Sequence, residues 1–488
     1  MQPDQSLWIP EIEGRDKPVY LAIADAIAED IRAGRLVPGQ RLPPQRLLAG
    51  RMGIDFTTVS RAYGEARHRG LIDARVGQGT FVRALALTSV PAPRAPERSV
   101  STGTIPSGPA GFVDMTMNQP PLPDAPGLLD RLHRGMAAVL SGTGLSAILR
   151  YPEAGDPNGA PNADRAAGAH WLRRRLPDLP AERLPAERLV VCPGTQGALL
   201  ALLTALARPG DTVCAEALTY PGFKAVAAQL GLRVVGVPMD ADGIDPDALR
   251  AVLAQHRPKA LYCMPTFHNP TTATMPPERR NAVVAAAREH GVPIIEDDIY
   301  GPLPTDPPRP LAALAPDITF HVSGLAKCVS PMLRIAYVVA PNARQALKLA
   351  AAQRATSLMA SPLTSAIAHR WIADGTADAV LDAVRAEAAA RRQLADSILP
   401  PRSFQSKREA FHLWLRLPDS WTRGEFATHL RTRGIAAVVS DTFATTSEIP
   451  EALRICLGAP IDRAETRRVL TILAEALDQL PVSAGVII

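Results

Sequence analysis

Residues 322–334 read Val-Ser-Gly-Leu-Ala-Lys-Cys-Val-Ser-Pro-Met-Leu-Arg, with Lys327 in a turn of small residues and Arg334 seven positions further on. The residues before it, Thr319–Val322, have strand composition. A lysine just past a strand, followed at this distance by an arginine, suits a phosphate-bearing aldehyde cofactor. The amine would form the imine and the guanidinium would hold the phosphate. A single lysine is more often a solvated surface residue, so the reading rests on its neighbours.

Working outward, four other stretches end putative strands in polar groups. Ile294-Ile-Glu-Asp-Asp-Ile-Tyr300 closes an apolar run with carboxylates, and Asp297 there can pair with a pyridinium nitrogen and keep it protonated. Pro265-Thr-Phe-His-Asn-Pro-Thr271 offers Asn269 to a phenolic oxygen. Cys192-Pro-Gly-Thr-Gln-Gly-Ala198 is a strand-to-helix turn whose backbone N–H groups can cradle a phosphate. Thr219-Tyr-Pro-Gly222 offers an aromatic ring for stacking. Each has a plainer alternative: the aspartates can cap a helix, Asn-Pro is a common turn, and Tyr220 can be core. Five such motifs in order are hard to ascribe to chance.

The surrounding pattern agrees. Strand-length runs at Leu189–Cys192, Thr212–Ala215, Ala260–Cys263, Ile294–Asp297, Thr319–Val322 and Arg334–Val339 alternate with Ala/Leu/Arg-rich helical stretches, the rhythm of an open α/β sheet. Beyond about Pro400, His412–Leu417, Ala436–Val439 and Leu453–Leu457 with helices between them predict a small α+β subdomain over 400–488.

Upstream, Ala84–Gly111 holds five prolines with Ser, Thr and Gly and no aromatic residue, a linker composition. Ahead of it the charge is lopsided. Residues 31–83 carry ten arginines against three acids, +7 of a chain total of +5, so the rest sums to −2. That segment predicts a helix over Val19–Ala33, a second opened by Pro43-Pro44 and a third capped by Asp55, followed by a hairpin around Val76-Gly-Gln-Gly79. The pattern is a winged helix-turn-helix, with Thr57, Thr58, Ser60 and Arg61 of the third helix presented to the DNA major groove. Arg75, Gly77 and Gly79 of the hairpin would probe the backbone or minor groove.

The string LVPGQRLPPQRLLAGRMGIDFTTVSRAYGEARHRGLIDARVGQGTFV, residues 36–82, resembles the GntR family of bacterial regulators, and Arg46 falls on that family's phosphate-contacting arginine. Phe56 departs from the pattern, standing where many members have a DNA-contacting arginine. From Phe112 onward the chain resembles fold-type I pyridoxal 5′-phosphate (PLP) aminotransferases. That resemblance makes Lys327 the Schiff-base lysine and Asp297 the partner of the pyridine nitrogen. Asn269 and Tyr300 would bind the phenolic oxygen, Tyr220 would stack on the ring, and Arg334 would hold the phosphate. Gly194, Thr195 and Gln196 form the phosphate turn with Ser323 close by, although Pro193 and Gly324 stand where serines are usual. Arg454 would grip an α-carboxylate. Tyr151 would reach the phosphate of a second subunit, which implies a homodimer. Residues 156–163 look like an insertion.

The combination is similar to the MocR subfamily: an N-terminal winged helix-turn-helix (1–83), a linker (84–111) and an α/β fold-type I aminotransferase-like domain (112–488) with its small C-terminal α+β part. It implies a PLP-dependent, DNA-binding, homodimeric transcriptional regulator that senses an amino acid or amine through external aldimine formation. The rival is a PLP aminotransferase with an accessory DNA-binding head.

Length and composition fit. At roughly 100–200 residues per domain, 488 residues predict two to four units. An apolar content of 47% is too high for a disordered chain, even with 47 prolines. The longest near-apolar run, Ala198 to Ala207, is half the length of a membrane span, and the first twenty residues hold no apolar signal core. The five cysteines are widely spaced, with no metal-ligand pattern, as in a reduced cytoplasmic protein.

Overall fold

The computed structural model describes residues 8–10, 18–33, 35–37, 39–69, 71–75, 79–82, 111–122, 125–141, 162–177 and 186–481. Gly77, Tyr151, the linker up to residue 110 and residues 156–161 of the expected insertion lie outside them. Two compact units are present, Met1–Thr102 and Gly103–Ile488.

In the first unit, α1 (Val19–Arg32) buries Ile23, Ala24, Ile27 and Ile31, the spacing of one helical face. The helix α2 (Gln45–Met52) follows Pro43-Pro44 and stops at Gly53, whose φ of 66° is left-handed. The helix α3 (Phe56–His68) starts at Asp55, whose carboxylate accepts the Thr57 N–H at 2.8 Å. Its buried stripe of Val59, Ala62, Tyr63 and Ala66 packs on α1, and the Tyr63 hydroxyl donates to Pro43 O at 2.8 Å. The strands β1 (Ile72–Arg75) and β2 (Gly79–Val82) pair antiparallel, and Leu42 N–H donates to Thr80 O at 2.8 Å on the outer side. Three helices and this hairpin make the winged helix-turn-helix.

The second unit opens with β3 (Val113–Asp114) and is built on a seven-stranded sheet. Its strands in chain order are β4 (Leu189–Cys192), β5 (Thr212–Glu216), β6 (Arg233–Val237), β7 (Leu261–Cys263), β8 (Ile294–Asp297), β9 (Thr319–Gly324) and β10 (Ala336–Val339). Their spatial order is β4-β10-β9-β8-β7-β5-β6. Only β10 runs against its neighbours. All four residues of β4, β8 and β10 are buried, because helices cover both faces of the sheet. Helix α4 (Gly194–Leu206) follows β4, and α5 (Pro221–Gln229) follows β5. The carboxyl ends of the parallel strands therefore share one edge, where ligands bind in open α/β sheets.

The long helix α6 (Thr376–Ile398) leads into the small domain. There β11 (Phe404–Gln405), β12 (His412–Arg416), β14 (Val438–Val439) and β15 (Ala452–Cys456) form an antiparallel sheet in the order β11-β12-β15-β14. It is backed by α7 (Arg463–Asp478), whose Val469, Leu470 and Leu473 are buried.

Two expected strands are corrected. Ala436–Val439 breaks at Ala437 into β13 (Ile435–Ala436), which pairs with β3, and β14, which belongs to the small sheet. Arg334–Val339 begins only at Ala336, because Arg334 has a φ of 51°, outside the strand region.

Candidate functional site

Five chain turns meet at the carboxyl edge of the sheet around a cavity of about 320 Å³. Asn118, Thr195, Tyr220, Asn269, Asp297, Tyr300, Lys327 and Arg454 are among its lining residues. Of the residues expected from sequence, these seven besides Asn118 are brought together.

Asp297 ends β8 with its carboxylate buried. Its Oδ1 accepts the Ile299 N–H at 3.3 Å, and its Oδ2 accepts the Tyr262 hydroxyl at 2.9 Å. Burial pushes its proton affinity up, to a pKa of about 6, and the Tyr262 donor works against that rise. Lys327 follows β9, and its Nζ donates to the backbone oxygen of Asn118. Burial pulls the Lys327 amine down to a pKa of about 8. The Tyr300 hydroxyl accepts from Asn118 Nδ2 at 2.7 Å, which leaves the phenolic proton free for another acceptor. The Tyr220 hydroxyl donates to Gln196 Oε1 at 3.2 Å, and Gln196 Nε2 donates to Gly222 O at 3.0 Å. A Cβ at Gly222 would fall 2.4 Å from the Tyr220 ring, so only glycine lets that ring lie against the helix start.

Arg454 lies in the fully buried strand β15. Its Nη1 donates to Asn269 Oδ1 at 3.2 Å and its Nη2 to Thr116 O, while Nε has no partner. Burial lowers its pKa, and no carboxylate among the described residues pairs with it. A buried guanidinium without a counter-charge is costly, and a ligand carboxylate would supply one.

The start of α4 forms a second corner. A Cβ at Gly194 would lie 3.5 Å from the Arg334 guanidinium, and Thr195 Oγ1 and Ser323 Oγ are buried without a hydrogen-bond partner. A Cβ at Gly324 would fall 2.3 Å from Thr195 Oγ1, which explains glycine where a serine is usual. Two orphaned hydroxyls, an arginine with no ion pair among the described residues and the N-terminus of a 13-residue helix fit a phosphate group. The donor set of PLP's other polar groups is matched by Asp297, Asn269, Tyr300 and Lys327, so the residues present fit that cofactor.

Two residues escaped sequence reasoning. Tyr262 gave a signal, a hydroxyl inside an otherwise apolar buried strand. Asn118 gave none, since it lies in an aperiodic segment and meets Tyr300 across 182 positions. That segment straps the small domain to the cavity. β3 pairs with β13, Met115 N–H donates to Ala436 O at 2.9 Å, and Gln119 O accepts from Cys456 Sγ at 3.4 Å.

In the first unit, Arg46 and Arg61 are exposed. The Arg46 guanidinium lies 5.7 Å from the Phe56 ring centroid, and that of Arg61 lies 4.3 Å from the Tyr20 centroid. Thr58 and Ser60 are half-buried on α3, and the Thr57 hydroxyl donates to Asp55 rather than standing free. Arg75 and Gly79 face each other in the hairpin register, with Gly79 at a φ of 112°. Arg41, Arg46, Arg51, Arg61 and Arg67 form no ion pair with a carboxylate among the described residues, whereas Arg35 and Arg69 do.

Comparison with known proteins agrees with both units. Residues 141–473 match the family aminotransferase class I and II, and residues 19–82 match bacterial regulatory proteins of the gntR family. An uncharacterized HTH-type transcriptional regulator, YdeF of Bacillus subtilis, is 28% identical over 97% of both chains. The HTH-type transcriptional regulator TauR of Rhodobacter capsulatus is 28% identical over 84% of this chain and 86% of its own. Among solved structures, the α-aminoadipate aminotransferase LysN of Thermus thermophilus, complexed with N-(5′-phosphopyridoxyl)-L-leucine, is 25% identical with a TM-score of 0.66. That match covers 76% of this chain and 92% of LysN.

Proposed function

Because the chain belongs to the aminotransferase class I and II family and bears a gntR-family head, we propose that it is a PLP-dependent, DNA-binding transcriptional regulator whose cavity senses an amino acid. When bound, PLP supplies an aldehyde that condenses reversibly with primary amines. Lys327 would be the amine of the resting site. Asp297 would pair with the ring nitrogen, Asn269 and Tyr300 would bind the phenolic oxygen, and Tyr220 would stack on the ring. Thr195, Gln196, Ser323 and Arg334 would hold the phosphate together with the N–H groups around Gly194. Tyr151 would complete that corner across a homodimer interface.

The observation that carries the sensing role is Arg454, buried beside Lys327 with no carboxylate partner among the described residues. A ligand that carries both an amine, to condense with the PLP aldehyde beside Lys327, and a carboxylate, to pair with Arg454, suits this site. In taking Arg454 it competes with Asn269 and the Thr116 carbonyl, which now occupy the guanidinium. Only a ligand that binds two conformations unequally shifts the balance between them. The exchange of those bonds gives the two states different contacts.

The head binds double-stranded DNA through Arg46 and α3, with Arg75 and Gly79 of the hairpin as further contacts and Gly77, outside the described residues, expected to join them, and operates in the cytoplasm. No helix among the described residues is long and apolar enough to cross a membrane. The test compares binding to the DNA upstream of the chain's own gene, with and without PLP and a panel of amino acids, against transamination turnover with the same panel. Specific DNA binding that responds to one amino acid supports the reading. High turnover without specific DNA binding overturns it.

A further inference from the structure

One hydrogen bond behind the cavity wall falls outside the roles assigned so far. Tyr262 sits at the centre of β7, next to β8, and is fully buried. Its ring stacks on Phe223 of α5, with centroids 4.1 Å apart and planes 8° from parallel. Its hydroxyl donates to Asp297 Oδ2 at 2.9 Å. A phenylalanine would fill the same slot and keep the same stacking. The hydroxyl therefore does one thing that packing does not require, which is to give Asp297 a donor on the oxygen that the Ile299 N–H does not reach.

We propose that Tyr262 is a positioning residue. By donating to Oδ2 it holds the Asp297 carboxylate ionised and aimed, and so governs how firmly a pyridine ring nitrogen in the cavity keeps its proton. This rests on the cavity being a PLP site. The other charged or titratable groups around the pair include Glu216 at the end of β5, Tyr220 before α5, Asp298 beside Asp297, Tyr300 three residues after it, and Lys327 beyond β9. Glu216 accepts the Met264 N–H at 2.7 Å and the Thr219 hydroxyl at 3.3 Å, and among the described residues it makes no hydrogen bond to Asp297. Tyr262 is thus the one side-chain donor that Asp297 has among the described residues.

A carboxylate that loses a donor holds its own proton more readily and a neighbouring pyridinium less firmly. With less positive charge on the ring, the bound chromophore gives up its proton at higher pH. The experiment loads the full-length protein with PLP and follows its visible absorbance against pH. In Tyr262→Phe the midpoint should rise by about one pH unit, the size of one hydrogen bond to a carboxylate. Phe223→Leu, which loosens the stacking but keeps the hydroxyl, should leave the midpoint in place. Placing 3-fluorotyrosine at 262, the same shape with a stronger donor, should lower it and covers the case in which the phenylalanine variant does not fold. An unmoved midpoint in Tyr262→Phe, or equal shifts in Tyr262→Phe and Phe223→Leu, overturns the positioning role, and so does an unmoved midpoint with fluorotyrosine. A wild-type chain that takes up no PLP overturns the cofactor reading itself, an outcome visible before any variant is compared.

Discussion

Arg175 and Asp298 form a two-pronged ion pair with both side chains buried, Nε to Oδ2 at 2.7 Å and Nη2 to Oδ1 at 3.2 Å. His321 Nε2 adds a third bond to Oδ2 at 3.1 Å. Burial pushes the Asp298 carboxyl up, but Arg175 and His321 outweigh it and hold the group below the usual carboxylate range. The pair fixes the backbone directly after Asp297. Arg175→Met should destabilise the second unit by about 3–5 kcal/mol, because it strands a buried charge. Denaturant unfolding measures the loss, and adding Asp298→Asn to that variant should recover part of it.

Lys327→Ala should abolish the visible absorbance that comes from the imine between Lys327 and PLP. DNA binding by the head should survive, since the two units are separately compact. Spectra and a mobility shift on the same preparation check both halves. A variant that kept the absorbance would sink the assignment of Lys327.

Capture of PLP should depend on pH in a definite direction. Only the neutral amine attacks an aldehyde, and burial holds Lys327 near a pKa of 8. Below that value the uptake rate of the cofactor-free protein should climb about tenfold per pH unit, then level off above it. Stopped-flow absorbance from pH 6 to 10 reads the curve. A plateau that begins near the ordinary lysine value would contradict the buried environment.

Arg454→Met should weaken ligands that carry a carboxylate by about 2–5 kcal/mol, as expected for removing one side of a buried charge pair. The matching amines without a carboxylate should bind as before. Titrating the absorbance of loaded protein with both series separates a missing carboxylate partner from collapse of the cavity, which would weaken the two alike.

Arg46→Ala combined with Arg61→Ala should reduce DNA affinity for all sequences and flatten its salt dependence. The log–log slope should fall by about one for each phosphate that the protein no longer neutralises. Binding measured between low and moderate salt supplies the slope, and an unchanged slope would put the phosphate-binding face elsewhere.

Much of this architecture was readable from local pattern. Strands such as Leu189–Cys192 and Ile294–Asp297 are short, apolar and bounded by turns, and the groups that converge on the cavity lie at their ends. The three helices of the head announced themselves through Pro43-Pro44, Asp55 and the spacing of Val59, Ala62 and Ala66. What stayed hidden depends on distant pairing. Thr116 meets Arg454 across 338 positions. Ala437 splits one apparent strand because the chain there serves two sheets. Arg334 leaves the strand pattern for a positive φ, a backbone choice that residue type does not reveal.

The strap formed by residues 113–119 sets Thr116, Met117 and Asn118 in the cavity wall, a few residues after Gly111. Within eight residues of Gly111 the chain is zipped to Ile435–Ala436 and lends its carbonyls to Arg454 and Lys327. A group that drew Arg454 and Lys327 away from Thr116 O and Asn118 O would remove two of the hydrogen bonds that moor this segment, and leave it more dependent on its pairing with Ile435–Ala436.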